Sequence, residues 1–152
     1  MELNPNTEIQ PLIGSKEGIL HVTLAFVNPG EQVLVPNPGY PTYTSLSKIL
    51  GAEVINYDLK EEDGWMPDFE TLEKMDLSRV KLMWTNYPNM PTGANATPEI
   101  YERLVDFARR KNIVIVNDNP YSFILNDKPI SCLLYTSPSP RDLSTSRMPS
   151  SA

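Results

Sequence analysis

Four short apolar runs, "EQVLVP", "AEVINYDL", "VKLMWTN" and "IVIVN", recur along the chain with helix-period segments between them. No other feature narrows the fold as much. Strands that alternate with helices pair in parallel, because a parallel neighbour is reached only by a crossover long enough to hold a helix. The last run, Ile113 to Val116, shows no polar alternation, so it reads as a strand covered on both faces. Yet it exits into Asn117-Asp118-Asn119-Pro120-Tyr121, and a carboxylate at the mouth of a buried strand needs a reason.

The intervening segments carry helix signals. "SKEGILHVTLAFVNPG" spaces Leu20, Leu24 and Val27 along one face and stops at Asn28-Pro29-Gly30. "PTYTSLSKILG" begins with a helix-compatible proline, aligns Tyr43, Leu46 and Leu50, and closes on Gly51. "PDFETLEKM" offers a short helix capped by Asp68, with Phe69, Leu72 and Met75 facing inward. "TPEIYERLVDFARRKN" is the clearest of all: Thr97 caps, Pro98 opens the first turn, and Ile100, Leu104, Phe107 and Ala108 form the buried stripe.

Composition excludes several classes. The 152 residues have 40% hydrophobic and 21% charged content, which is globular rather than disordered. A formal net charge of -6, with no Lys/Arg cluster, speaks against binding a nucleic-acid backbone. No apolar run approaches the roughly 20 residues that span a bilayer, and "MELNPNTEIQ" has no signal-peptide character, so the expectation is a cytoplasmic protein with no membrane partner. One Cys and one His leave zinc chemistry without a ligand set, and no metal is expected.

In an open parallel sheet, ligands gather at the carboxyl ends of strands and at helix N-termini, and four such places stand out. "GSKEGI" puts Ser15 and Lys16 beside the free N–H groups of a helix start, where a phosphate could sit, although a plain capped helix start reads the same way. "PNPGYPTY" fixes Tyr40 between Gly39 and Pro41, either to stack on a flat heteroaromatic ligand or to cap the core. "NYPNMPTGAN" is dense in turn residues whose side-chain amides can donate hydrogen bonds, or it is an elaborate loop before the Thr97 cap. In "NDNPYSF" no Arg neighbours Asp118, so a cationic ligand nitrogen is a natural partner, with the Tyr121 hydroxyl directed at the same ligand; the alternative is that Asp118 caps the following turn.

Together and in this order, "NPGEQVLVPNPGYPTY", "NYPNMPTG" and "NDNPYSF" resemble the large domain of fold-type-I aminotransferases that use pyridoxal 5'-phosphate, the class I/II family, near its LL-diaminopimelate branch. The resemblance runs from about Asn4 to Pro129. It implies an α/β fold: a partial, truncated three-layer sandwich around a mostly parallel sheet. It implies that Ser15 and Lys16 belong to the phosphate-binding turn, that Tyr40 stacks on the pyridine ring, that Asp118 pairs with the pyridinium nitrogen, and that Tyr121 donates to the phenolic oxygen. It further implies amino acid and 2-oxo acid substrates and a homodimer. The chain departs from the family at one point. The family reads Asn-Pro-Thr-Gly where this chain has Met90-Pro91-Thr92-Gly93, and methionine cannot donate the bond that Asn makes. Asn89, adjacent, is expected to take its place through a shifted backbone. The Lys that binds the cofactor covalently and the Arg that clamps the substrate carboxylate lie beyond this chain in the family, so it holds no catalytic residue and is expected not to turn over.

Other readings use the same residues: a carbon–sulfur lyase or decarboxylase on the same scaffold, or an aminotransferase-like sensor domain of a transcription regulator. A nucleotide-binding domain lacks its Gly-x-Gly-x-x-Gly or Walker loop here. From Cys132 the composition changes. "CLLYTSPSPRDLSTSRMPSSA" is rich in Ser and Pro, as a disordered linker would be, and it also resembles translated sequencing-adapter DNA. The expected division is thus a partial cofactor-binding domain over 1–131 and a non-native tail over 132–152.

Overall fold

The computed structural model describes residues 3–124 and 132. Four strands, β1 (Gln32–Asn37), β2 (Glu53–Asp58), β3 (Val80–Asn86) and β4 (Val114–Asp118), form one sheet in the order β2-β1-β3-β4, every pairing parallel. Four helices cover it: α1 (Ser15–Phe26), α2 (Pro41–Ile49), α3 (Phe69–Lys74) and α4 (Pro98–Lys111). All four expected strands are present. The chain leaves β1 for β2 on one side and returns to β3 on the other, so the connections diverge between β1 and β3. A crevice opens beyond the carboxyl ends of the strands at such a point.

Side chains alternate across each strand and split the core in two. On one face Leu34, Met83 and Ile115 meet Phe69 and Leu72 of α3 and Tyr101, Leu104, Phe107 and Ala108 of α4. On the other, Val33, Val35, Leu82, Trp84 and Val116 meet Ile19 of α1 and Tyr43 of α2. This is the expected three-layer arrangement, and it explains why "IVIVN" has no polar alternation: Ile115 and Val116 enter different cores. Cys132 is buried in the α3/α4 cluster; the rest of the expected tail lies outside the described residues.

The helix caps follow the sequence. Asp68 Oδ1 accepts from Thr71 N at 3.1 Å, and Thr97 Oγ1 accepts from Ile100 N at 3.4 Å. Asn112, left-handed at φ 56°, closes α4. Of the stripe expected for α1, Val27 is buried and Leu20 half-buried, but Leu24 is not inward. Ile19 and Thr23 face the core, while Leu24 is 55% exposed, because the helix is rotated so that Gly18 also lies against its neighbours. Thr23 is tolerated there because its hydroxyl donates to Ile19 O at 2.7 Å. In α2 the inward positions are Tyr43 and Ser47, with Leu46 and Leu50 half-buried.

Phe107→Ala is expected to cost about 3–5 kcal/mol by opening a cavity in the α4 layer, whereas Leu24→Ala should stay within about 0.5 kcal/mol. Urea midpoints of the two variants check both.

Candidate functional site

Asp118 is the last residue of β4 and pairs in register with Asn86, the last of β3. The two-residue alternation places it on the same face as Val116 and Trp84, toward α2. There Tyr43 Oη donates to Asp118 Oδ2 at 2.7 Å. Asp118 is therefore not the cap of the turn that follows it. Its other oxygen, Oδ1, is buried and has no hydrogen-bond partner, and no ion pair reaches the carboxylate among the described residues. Burial pushes the Asp118 carboxyl above the usual carboxylate range, and the Tyr43 bond opposes that rise. The contrast with the surface is sharp. Glu53 is lowered by hydrogen bonds from Gln32 and Arg79, and Glu73 by those from Lys111 and Arg110.

The backbone around Asp118 is fixed by β3. Asn86 Nδ2 donates to Asp118 O at 2.8 Å, and Asn86 Oδ1 accepts from Met90 N at 2.7 Å, so one side chain ties the end of β4 to the loop after β3. In that loop Asn89 is buried. Its Oδ1 accepts from Thr92 Oγ1 at 2.8 Å, and its Nδ2 is buried without a partner among the described residues. The strand ends thus hold an unmatched acceptor, Asp118 Oδ1, and an unmatched donor, Asn89 Nδ2. An unmatched buried polar atom costs about 1–3 kcal/mol, which a ligand of complementary polarity would recover. Among the described residues Ser47 Oγ and Trp84 Nε1 are also buried without partners, on the α2 side of the sheet.

The turn from β1 to α2 sets the aromatic wall. A side chain on Gly39 would place Cβ 2.4 Å from Pro36 O, so only glycine allows the chain to fold back this tightly. Tyr40 follows as the residue before α2, half-buried, with its ring edge-on to Tyr43 at 5.6 Å and 82°. Tyr43 in turn stacks on Trp84 at 4.8 Å and 6°. Through Tyr43, then, Tyr40 and Asp118 belong to one cluster. Tyr121 lies three residues beyond Asp118 and is 39% exposed.

Ser15 and Lys16 form the exposed first turn of α1. Ser15 does not cap it. Gly14, in extended conformation, holds the cap position without a side-chain hydrogen bond, which leaves N–H groups of the first turn free for an anion.

Tyr43 and Asn86 are the residues that sequence reasoning undervalued, the first as core, the second as one more turn residue. Tyr43 follows Tyr40 by three positions across a helix start, and a phenol on the inward stripe of a helix brings a hydroxyl that must find a partner. For Asn86 the signal was its place at the end of a strand.

Among the described residues no helix is long and apolar enough to cross a membrane. Comparison with known proteins gives a consistent picture. The model of the family "Aminotransferase class I and II" matches residues 1–137. Among curated proteins, LL-diaminopimelate aminotransferases of Dehalococcoides mccartyi and Aquifex aeolicus are 45% and 47% identical over 124 residues, 82% of this chain and 32% of each relative. The chain thus spans about a third of the length of these relatives. Among solved structures, apo-BacF from Bacillus subtilis superposes with a TM-score of 0.84 at 41% identity, over 88% of this chain and 36% of that one. A probable N-succinyldiaminopimelate aminotransferase from Thermus thermophilus gives 0.81 at 30% identity, over the same shares.

The raised Asp118 carboxyl has a signed consequence. The folded state holds that proton more tightly than the unfolded chain, so the stability this contributes is full below the unfolded value of about 3.9 and lost as pH rises through the folded value. Without ligand, Asp118→Asn is therefore expected to raise the urea midpoint at pH 7, with the gain shrinking towards pH 4. Parallel melts at the two pH values measure it.

Proposed function

Because the chain belongs to the class I and II aminotransferase family, we propose that it forms the cofactor-holding part of an enzyme that moves an amino group between an amino acid and a 2-oxo acid with pyridoxal 5'-phosphate. The observation that carries this reading is the buried, unpartnered Asp118 Oδ1 at the end of β4. A protonated ring nitrogen is the partner it lacks, and a carboxylate held ionised there would keep that nitrogen protonated. When bound, the cofactor supplies a cationic heteroaromatic ring that withdraws electron density from the reacting carbon.

The remaining residues bind and orient. Tyr40 would stack on the ring face, and the half-buried position of its side chain leaves part of it available. Asn89 Nδ2 would donate to the ring's oxygen substituent, the role for which Met90 has no donor. The Tyr121 hydroxyl would donate to the same oxygen. Ser15, Lys16 and the uncapped start of α1 would hold the phosphate. Burial of Asp118, Asn86 and Asn89 excludes water from the floor of the site, which strengthens each polar contact made there.

The chain covers about a third of its relatives, and turnover requires the rest of the polypeptide: a lysine to hold the cofactor covalently and an arginine for the substrate carboxylate. The whole enzyme is proposed to be a cytoplasmic homodimer. Exposed apolar side chains on the helical layer, Leu24 at 55% and Ile49 at 76%, favour further covering of that face.

Two measurements test this. In the whole enzyme Asp118→Ala should abolish or strongly shift the visible absorbance of bound cofactor and lower kcat by orders of magnitude; an unaltered spectrum and rate would remove Asp118 from its central role. The 152-residue chain alone should associate in solution rather than unfold as a reversible monomer, which sedimentation alongside thermal melting distinguishes.

A further inference from the structure

We infer that Tyr43 is a positioning residue for this site: its hydroxyl binds Asp118 through Oδ2 and so presents Oδ1 as the one carboxylate atom open to a ligand cation. The inference deepens the functional reading above and rests on it.

Three observations converge. The Oη–Oδ2 bond of 2.7 Å is the carboxylate's hydrogen bond, and Oδ1 beside it has none. The phenol that makes the bond is itself immobilised. Its ring is fully buried, stacked on Trp84 at 4.8 Å and met edge-on by Tyr40 at 5.6 Å. A hydroxyl on a ring held from two sides has one position, so the torsion of the carboxylate is set by α2 and not by Asp118's own segment. Finally, the Asp118 main chain is anchored independently by Asn86 Nδ2, so backbone and side chain are fixed by different elements, β3 and α2.

The type of donor matters as much as its position. A Lys or Arg here would neutralise the carboxylate and leave nothing for a ligand cation. Tyr43 is a neutral donor, kept so because burial and then the nearby Asp118 charge push its phenol far above the ordinary range. The other groups acting on it are two further tyrosine side chains, Tyr57 and Tyr40. The arrangement therefore orients Asp118 while leaving its negative charge intact.

The test uses the whole enzyme and pyridoxal 5'-phosphate as probe, with wild type, Tyr43→Phe, Asp118→Asn and the double variant compared. Tyr43→Phe keeps the stacked ring and deletes the hydroxyl. It is expected to weaken cofactor binding about ten- to a hundredfold, the range of one charge-assisted hydrogen bond. It should also shift the pH midpoint of the bound cofactor's visible band, while near-ultraviolet circular dichroism shows the fold retained. In the Asp118→Asn background Tyr43→Phe should have little further effect. Binding by Tyr43→Phe within twofold of wild type, with an unmoved band, would overturn the inference and leave the functional reading standing. Equal weakening by Tyr43→Phe in the wild-type and Asp118→Asn backgrounds would mean that the hydroxyl does not act through Asp118 and overturn it as well. Failure of the wild type to give any visible band would sink the functional reading, and the positioning role with it.

Discussion

Four parallel strands covered on both faces by helices make the strand ends the place where the polar groups of the site collect. Within the sheet, Leu34, Met83 and Ile115 on one side and Val33, Leu82 and Val116 on the other exclude water from the strand interiors. Backbone groups of the two inner strands, β1 and β3, pair with a neighbour on either side. The buried polar groups of the site, Asn86, Asn89 and Asp118, sit where β3 and β4 end. Because the order β2-β1-β3-β4 sends the connections apart between β1 and β3, the ends of β3 and β4 lie beside the turn that leaves β1. Asn86, Asp118 and the segment Gly39-Tyr40 are brought together by topology before any of their side chains interact.

What those side chains then do is governed by the cost of a buried charge. Surface carboxyls such as Glu53 and Glu73 gain cationic partners and are lowered; Asp118 gains a phenol and stays raised. A ligand-free protein carries that cost as lost stability. A cation bound at Oδ1 would reverse it, so the same burial that penalises the empty site strengthens binding in the filled one. Destabilising features that persist at strand ends are more readily explained by ligand binding than by folding.

Aromatic packing supplies the stiffness this needs. Gly39 lets β1 turn sharply against Pro36, α2 starts at once, and its first turn carries Tyr43 into the sheet face, where Trp84 receives it. A phenol on a flexible loop would bond Asp118 as well on paper, yet it would not fix which oxygen remains free. Held between Tyr40 and Trp84, the ring converts core packing into orientation at the site.

The sequence alone determined the strand and helix alternation, the caps at Asp68 and Thr97, the two-sided burial of β4 and the exit of Asp118 from it, because each is written in local period, composition or turn chemistry. It also placed Tyr40 and Asn89 at strand ends. It misjudged the inward face of α1, since Leu24 and Ile19 are equally apolar and only packing against α2 and the sheet chooses the rotation of a helix. It left Tyr43 as a core residue, because the partner of its hydroxyl lies 75 positions away and no local pattern encodes a contact of that separation. Which carboxylate oxygen is bonded, and which is left open, was decided only when α2 and β4 met across the sheet.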